Sequence, residues 1–191
     1  LSPEVNEEFG IALGVTPATV QAALEAHPEA KATLLINPTY YGTVCDLGAL
    51  AQLIHNYQQP LLVDEAHGPH FYFHDSLPSG ALTLGADACA QGAHKTLCSL
   101  TQSSWLHVQG ARIDRERLRA TLAVLLSTSA SYPLLASLDL ARRQMVLDGQ
   151  WILDRTIALA DRLRCSLKAL PGLTVFDQEL CDNPAAVALD P

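Results

Sequence analysis

The chain has 191 residues, a formal net charge of −8 and 49% hydrophobic residues. This length suits one domain or slightly more, and the apolar content excludes a disordered chain. No lysine and arginine cluster is long enough to follow a phosphate backbone, so nucleic acid is not an expected partner. No apolar run approaches the roughly 18–20 residues of a membrane span, and the first ten residues lack the pattern of a signal peptide. The 5 cysteines have no CxxC spacing, which favours reduced thiols in a cytoplasmic protein.

The first third of the chain alternates helices with short apolar strands. Thr16 is a candidate N-cap, and Pro17 suits the first position of a helix that ends before Pro28. The next segments predict a buried strand at 32–37, a second helix at about 47–57 and a second strand at 61–64. This alternation is typical of a parallel sheet covered by helices.

The rest of the chain is less regular. We predict, in order, a loop at 65–80, a weaker strand at 86–91, an edge or antiparallel strand at 103–108, a helix at 112–126, a break at 127–133, a long helix at about 134–170 and a strand at 173–176. Gly149 is expected to weaken the long helix locally.

The segment 61–97 contains the residues best suited to chemistry. Asp64 ends one predicted strand, and Lys95 follows 31 residues later, which is enough chain for one crossover and a second parallel strand. Both side chains would then lie at the carboxyl ends of neighbouring strands, where open α/β sheets bind ligands. A lysine in such a place can hold a carbonyl cofactor such as pyridoxal phosphate, whose ring nitrogen needs an acidic partner. The alternatives are a solvent-facing lysine and an aspartate that only caps a turn.

Other motifs offer competing interpretations. The letters DEAH at 64–67 match a helicase motif, but residues 1–60 contain no glycine-rich phosphate loop with a lysine. The spacing of His67, His70 and His74 could supply zinc ligands together with Asp64, as in a metal-dependent hydrolase, but it is no fixed metal signature. The hydroxyl-rich segment 128–132 precedes the long helix and could form either an anion site or an ordinary cap.

Four segments together resemble one family. In this order, NPTYYGTVCDL, PLLVDEAHGPHF, QGAHKTLCSLTQSSWLHV and STSASYPLLASLDLARRQ resemble the Orn/Lys/Arg decarboxylases, which are enzymes that depend on pyridoxal 5'-phosphate. The resemblance covers about residues 4–176. It implies an α/β fold, part of the large cofactor-binding domain of a fold-type I enzyme of the aspartate-aminotransferase type, with a mostly parallel sheet, helices on both faces and a long helix after it. The implied domains are a partial large domain at 1–133, a linking helix at 134–170 and the start of an incomplete C-terminal domain at 171–191.

The resemblance also assigns roles to residues around the cofactor ring. It implies that Lys95 forms the covalent Schiff base and that Asp64 pairs with the pyridine nitrogen. Ala66 would pack under the ring, and His67 would lie near its phenolic oxygen. His94 would lie near the phosphate or the reacting carbon and share in catalysis with Lys95.

The remaining assignments concern the phosphate and the substrate side. Thr128 and Ser129 match the segment that helps to bind cofactor phosphate across a subunit interface, and Thr39 matches a substrate-side or cofactor-side loop. The sequence departs from the family at Gly92, where the family usually has serine, and at Ala130, where it usually has proline. The phosphate-cradling loop and the ring-stacking histidine of the family have no counterpart in these residues, so the chain resembles the middle of such an enzyme.

The implied activity is decarboxylation of a basic amino acid, arginine, lysine or ornithine, in a homodimer or higher homo-oligomer without a nucleic-acid or membrane partner. The implied cofactor is pyridoxal 5'-phosphate, and no metal is expected. Two alternatives stay open: a non-catalytic remnant or dimerisation fragment of such an enzyme, and a metal-dependent hydrolase that uses His67, His70 and His74.

Overall fold

The computed structural model describes residues 1–177 and one short strand near the C-terminus. The elements in chain order are β1 Glu4–Asn6, β2 Ile11–Gly14, α1 Pro17–Ala26, β3 Thr33–Ile36, β4 Thr43–Val44, α2 Leu47–Asn56, β5 Leu61–Asp64, a 3₁₀ helix Pro69–Phe73, β6 Ala88–Gln91, α3 Ala93–Thr96, β7 Trp105–Val108, α4 Arg115–Leu125, α5 Tyr132–Lys168 and β8 Ala188–Leu189.

The central sheet has four strands in the order β3-β5-β6-β7. The first three strands are parallel, and β7 pairs with β6 in the antiparallel sense. The crossover predicted between Asp64 and Lys95 is therefore confirmed, because β5 and β6 are neighbours and Asp64 lies opposite Ala90. The prediction of an antiparallel edge strand near 103–108 is also confirmed.

One face of the sheet is closed by packing. Alternate residues of β3 and β5 point to the same side, and Leu35, Leu61 and Val63 on that side are buried. They pack against α1 and α2, whose N-caps Thr16 and Asp46 each accept a backbone N–H in the first turn. The cluster consists of Val20, Leu24, Leu35, Leu47, Leu50, Ala51, Ile54, Leu61, Val63, Ala81, Ala86 and Cys89.

A second core cluster lies where α5 meets the 3₁₀ helix. Its buried members are Val44, Phe71, Leu77, Leu97, Ala141, Met145 and Leu153, and Trp105 packs against them. Gly149 is buried in α5, and an added Cβ there would lie 3.2 Å from Cβ of Phe73. The glycine therefore permits close packing, and α5 runs through it without interruption.

The opposite face of the sheet is largely open. Leu34 is 65% exposed and Ile36 is 60% exposed, although both belong to a strand of the central sheet. Helix α4 lies on this side, has no buried residue, and leaves a groove of about 660 Å³ between itself and the strands. Asp64 lines this groove, so the open face also carries the first candidate functional residue.

A buried carboxylate, Asp87, holds the amino-terminal ends of the strands together. These ends lie opposite the carboxyl end of β5, which carries Asp64. Asp87 Oδ2 accepts hydrogen bonds from Leu61 N–H and from His55 Nε2, both at 2.9 Å. Its Oδ1 accepts from Arg112 Nη1 at 3.2 Å. Burial raises the pKa of Asp87, but the bonds from Leu61, His55 and Arg112 outweigh it and hold this pKa below its usual value.

The structure differs from the sequence predictions in several places. The predicted loop at 65–80 contains the 3₁₀ helix Pro69–Phe73. The N-terminal 15 residues, which show no clear period, contain the antiparallel hairpin β1-β2. The predicted strand at 173–176 is wrong, since these residues form no regular element. None of the helices among residues 1–177 has the length and apolar character needed to cross a membrane.

Candidate functional site

The turn after β5 brings two adjacent carboxylates to opposite faces of the sheet. Asp64 is half-buried on the open face, and its Oδ1 accepts the backbone N–H of Ala66 at 3.0 Å. Glu65 is fully buried, and its backbone N–H donates to the Ala90 carbonyl at 2.9 Å. The Glu65 carbonyl in turn accepts from Gly68 N–H at 3.0 Å. These bonds fix the backbone that carries Asp64, Ala66 and His67.

Lys95 lies on the short helix α3, one strand away from Asp64. Its Nζ lies 3.2 Å from His67 Nε2, and the lysine is exposed. The ring of Tyr40 meets the His67 ring edge-on, with centroids 5.7 Å apart. A nucleophilic amine, an imidazole and a carboxylate therefore lie at the ends of neighbouring strands, and an incoming molecule can reach the amine from solvent.

Gly92 lies where the two strand ends approach most closely. An added Cβ there would lie 2.9 Å from the Ala66 carbonyl oxygen and 3.1 Å from Lys95 Cδ. The first contact is with backbone, which cannot simply rotate away. The lack of space for a Cβ thus favours glycine at this position in this chain, and a serine would require the Ala66 turn to move.

A hydrogen-bonded network lies directly beneath the turn. Glu65 Oε1 accepts from Ala81 N–H at 2.6 Å, and its Oε2 accepts from Tyr72 Oη at 3.0 Å and from Gln91 Nε2 at 2.7 Å. Gln91 Oε1 lies 3.0 Å from His107 Nε2. Sequence reasoning missed Glu65 and Gln91. The available signal was a polar residue directly after β5 and another at the last position of β6.

The pKa values of three side chains beside this network are shifted. Burial, followed by the Glu65 carboxylate, raises the pKa of Tyr72 above its usual value. The same two causes raise the pKa of the Cys89 thiol to about 12. Burial lowers the pKa of His107, and Glu65 opposes this shift only in part. Glu65 therefore contributes to the electrostatic environment of all three neighbours.

Four other candidate residues have contacts of their own. His94 Nδ1 lies 2.8 Å from the Ser103 carbonyl, so His94 donates to it and fixes the 97–104 loop. The hydroxyl of Thr39 bonds to that of Thr43 at 2.5 Å within the loop after β3. Thr128 and Ser129 are exposed in the turn before α5, where Ser129 N–H donates to Ser127 Oγ. The structure therefore brings Asp64, Ala66, His67 and Lys95 together, whereas the remaining four lie around or apart from them.

The three histidines that could suggest a zinc site have separate partners. His67 contacts Lys95, His70 packs against Phe71, and His74 Nε2 lies 3.0 Å from Asp154 Oδ1 on α5. Within the described part of the chain, no group of three or more His, Cys, Asp or Glu side chains could hold a metal ion.

The fold and the site define a class of protein: an α/β domain whose reactive amine and carboxylate lie at the carboxyl ends of adjacent parallel strands. The chain belongs to the Orn/Lys/Arg decarboxylase family, since the family profile described as "Orn/Lys/Arg decarboxylase, major domain" matches residues 1–190. The resemblance found in the four sequence segments is thereby confirmed.

Individual relatives agree with this membership. The chain is 41% identical to an arginine decarboxylase of Bacillus subtilis and 42% identical to one of Halalkalibacterium halodurans, over 191 residues in both cases. Each match covers 100% of this chain and 39% of the relative. The chain therefore spans about two fifths of the length of these curated relatives, consistent with the expectation that it corresponds to part of such an enzyme.

Solved structures confirm the fold. Lysine decarboxylase A of Pseudomonas aeruginosa is 25% identical, with a TM-score of 0.76 over 92% of this chain and 27% of that protein. The constitutive lysine decarboxylase of Escherichia coli is 23% identical, with a TM-score of 0.76 over 100% of this chain and 32% of that protein. The predicted fold class, part of the large domain of a fold-type I enzyme, is correct.

Proposed function

We propose that this chain carries the cofactor-holding part of the active site of a pyridoxal-phosphate-dependent decarboxylase that acts on a basic amino acid. The observation that carries the proposal is the Lys95 amine, 3.2 Å from His67 Nε2 and one strand away from Asp64, in a chain of this family. Arginine is the first substrate to test, because relatives more than 40% identical are named arginine decarboxylases. Lysine and ornithine are the other two.

The donor set fits pyridoxal 5'-phosphate. An exposed lysine amine can condense with its aldehyde, and a carboxylate can hold a proton on its ring nitrogen. When bound, the cofactor supplies an electron sink for the electron pair left behind as the substrate carboxylate departs as CO2. Asp64 Oδ1 already accepts the Ala66 N–H, so the second carboxylate oxygen is the one assigned to the ring.

Lys95 and His67 form the proton-handling pair of the proposal. Lys95 would hold the cofactor, and its amine could carry a proton when it is not bonded to it. His67 Nε2 lies within hydrogen-bond distance of that amine and can exchange a proton with it. Ala66 would lie beneath the ring, where a small side chain leaves room, and His94 would lie on the phosphate or reacting-carbon side.

Three residues with hydroxyl groups are assigned to the substrate side and the phosphate side of the site. Thr39 is assigned to the substrate-side loop. Thr128 and Ser129 are exposed at the start of α5, and we assign them to the cofactor phosphate of a second subunit in a homodimer or higher homo-oligomer. Their distance from Lys95 within one chain is then no obstacle, because the partner would bring them to the site.

One observation favours a second candidate, a non-catalytic piece that retains the fold. Gly92 offers no hydroxyl to a phosphate at the position where the resemblance implies a serine. In that case the chain would keep the folded core without turning over an amino acid.

Reduction with borohydride in the presence of pyridoxal phosphate tests the proposal. The chain has three lysines, Lys31, Lys95 and Lys168, so peptide mass analysis can locate the label. We expect it on Lys95, absent from Lys95→Arg and retained in the Lys31→Arg/Lys168→Arg double variant. Release of labelled CO2 from carboxyl-labelled arginine, lysine or ornithine then tests turnover.

Labelling without CO2 release would favour the non-catalytic piece. Absence of the Lys95 label in a chain that keeps its circular dichroism spectrum would sink the proposed cofactor role.

A further inference from the structure

Glu65 and Gln91 occupy equivalent places beneath the candidate site. Glu65 directly follows Asp64 at the end of β5, and Gln91 ends β6 one residue before Gly92 and α3. Both are buried on the closed face, with Glu65 at 0% and Gln91 at 4% exposure. Their side chains join at 2.7 Å, and the backbone bond from Glu65 N–H to Ala90 joins the same strand ends.

The direction of this hydrogen bond follows from the atoms that meet. Gln91 turns its amide nitrogen towards Glu65 and donates to Oε2. Its amide oxygen then faces His107 Nε2 at 3.0 Å. An amide oxygen only accepts, so His107 carries its proton on Nε2. One carboxylate thus sets the orientation of an amide and the tautomer of an imidazole.

The other donors to Glu65 fix the carboxylate itself. The Ala81 N–H and the Tyr72 hydroxyl bond to it at 2.6 and 3.0 Å, and Tyr72 Oη accepts from Leu82 N–H at 3.2 Å. These partners come from the 3₁₀ helix and the loop before β6. Glu65 is therefore held from the loop side and holds Gln91 on the strand side.

We propose that Glu65 and Gln91 are positioning residues for the candidate site, and that their carboxylate–amide bond sets the spacing between the strand ends that carry Asp64 and Lys95. The functional role in this inference rests on the proposed function, whereas the geometry of the bond does not depend on it. Neither side chain touches the groups that would bind cofactor. They act through the backbone, because Asp64 and Glu65 are adjacent and only Gly92 and the first turn of α3 separate Gln91 from Lys95.

Reversing the bond distinguishes positioning from simple packing. Glu65→Gln keeps one accepting oxygen in place of two. If that oxygen stays on the Ala81 N–H, the new NH2 group faces Gln91, which must then flip or lose its partner. Gln91→Glu places two carboxylates against each other, which disfavours the ionised pair. The double variant Glu65→Gln/Gln91→Glu restores one donor and one acceptor with nearly the same volume. Packing alone would be almost unchanged in all three variants.

The first measurement needs no cofactor. The rate at which an amine-reactive reagent modifies Lys95 is compared with the rate for exposed Lys31 in the same 191-residue chain. We expect the ratio to change severalfold in each single variant and to return to the wild-type value in the double variant. The ring-nitrogen NMR shifts of His107 should show the Nε2–H tautomer in the wild type and its loss in Glu65→Gln.

The second measurement uses pyridoxal phosphate as the probe. We expect its dissociation constant to rise about tenfold in each single variant, as for the loss of one buried hydrogen bond, and to recover in the double variant. The visible circular dichroism of the bound cofactor, which reports its orientation, should follow the same order. In Gln91→Glu, binding should improve as the pH falls, because one shared proton relieves the repulsion.

Single variants that keep the wild-type Lys95 reactivity and cofactor affinity would overturn the proposal. So would a folded double variant that recovers neither. If the wild-type chain binds no pyridoxal phosphate, the proposed function fails, and the Lys95 reactivity ratios still decide whether the pair positions the strand ends.

Discussion

The two faces of the central sheet are built from alternate residues of the same strands, but they differ in cover. Leu35 and Val63 lie under α1 and α2 on the closed face, whereas Leu34 and Asp64 lie on the open face beside α4. The closed face also holds a carboxylate, Glu65, which accepts three hydrogen bonds from groups inside the protein. The difference separates two tasks: the closed face supplies stability and register, and the open face leaves Asp64 accessible from the groove.

The adjacent carboxylates give the largest expected contrast. Glu65→Ala removes the acceptor of two buried donors and of the partly exposed Tyr72 hydroxyl. Each buried donor costs roughly 1–3 kcal/mol when left unpaired, so the free energy of unfolding should fall by about 4 kcal/mol. Asp64→Ala loses one hydrogen bond at a half-buried position and should cost about 1 kcal/mol. Urea unfolding followed by circular dichroism measures both. Equal losses would contradict the division between the faces.

Substitutions of apolar residues on the two faces should also differ in their effect on the free energy of unfolding, by a smaller amount. Leu50→Ala on the closed face creates a cavity at a side chain with no exposure and should destabilise the chain by about 3 kcal/mol. Leu34→Ala, at a residue 65% exposed, should change the free energy of unfolding by about 0.5 kcal/mol or less. Thermal unfolding of the two variants at one protein concentration is the measurement. A Leu34→Ala loss as large as that of Leu50→Ala would show that the open face is packed in solution.

We also expect the stability of the folded chain to depend on pH through Asp87. Its hydrogen bonds hold its pKa below the ordinary aspartate value of 3.8, so the folded state binds this proton more weakly than the unfolded state. The stability it contributes is therefore present above about pH 4 and is lost as the pH falls through the lower, folded-state pKa.

Asp87→Asn tests this dependence. It should cost about 2 kcal/mol at neutral pH, from weakened bonds to Leu61, His55 and Arg112. The difference from the wild type should shrink in urea titrations at progressively lower pH. A difference that stays constant down to strongly acidic pH would contradict the assignment.

Gly92 should give a small change in stability and a selective change at the site. Gly92→Ala places a Cβ 2.9 Å from the Ala66 carbonyl oxygen, and the resulting overpacking should cost about 1 kcal/mol. Because the strain lies between the two strand ends, we expect reactivity of the Lys95 amine to change more than the unfolding temperature does. Gly10→Ala is a useful control, because no atom lies within 4 Å of its added Cβ and its positive φ of 65° supplies backbone strain alone.

The sequence was most informative where local chemistry and periodicity agree. Thr16-Pro17 and Asp46 begin helices where predicted, and β5 ends at Asp64 as expected. The spacing between Asp64 and Lys95 was enough to predict neighbouring strands. The hairpin β1-β2, in which Val5 lies opposite Ala12, was missed because its residues alternate only weakly.

The site was only partly predictable for a similar reason. Asp64 and Lys95 stand out because their residue types match a known chemistry. Glu65 and Gln91 become meaningful only when two strand ends, 26 residues apart in the chain, are brought together. The strand expected at 173–176 fails because apolar, β-prone residues form a strand only where a neighbouring edge can pair with them.

The long helix α5 has a practical consequence for optical experiments. Its 37 residues extend about 55 Å at 1.5 Å per residue. Cys165 is exposed near its far end, and Cys98 is exposed three residues after Lys95, whereas burial raises the pKa of Cys45 to about 11 and that of Cys89 to about 12. With Cys181, which lies outside the described residues, replaced by serine, thiol-reactive dyes would select the two exposed positions. In single molecules, energy transfer between them would then report the distance between the far end of the helix and the region of the lysine.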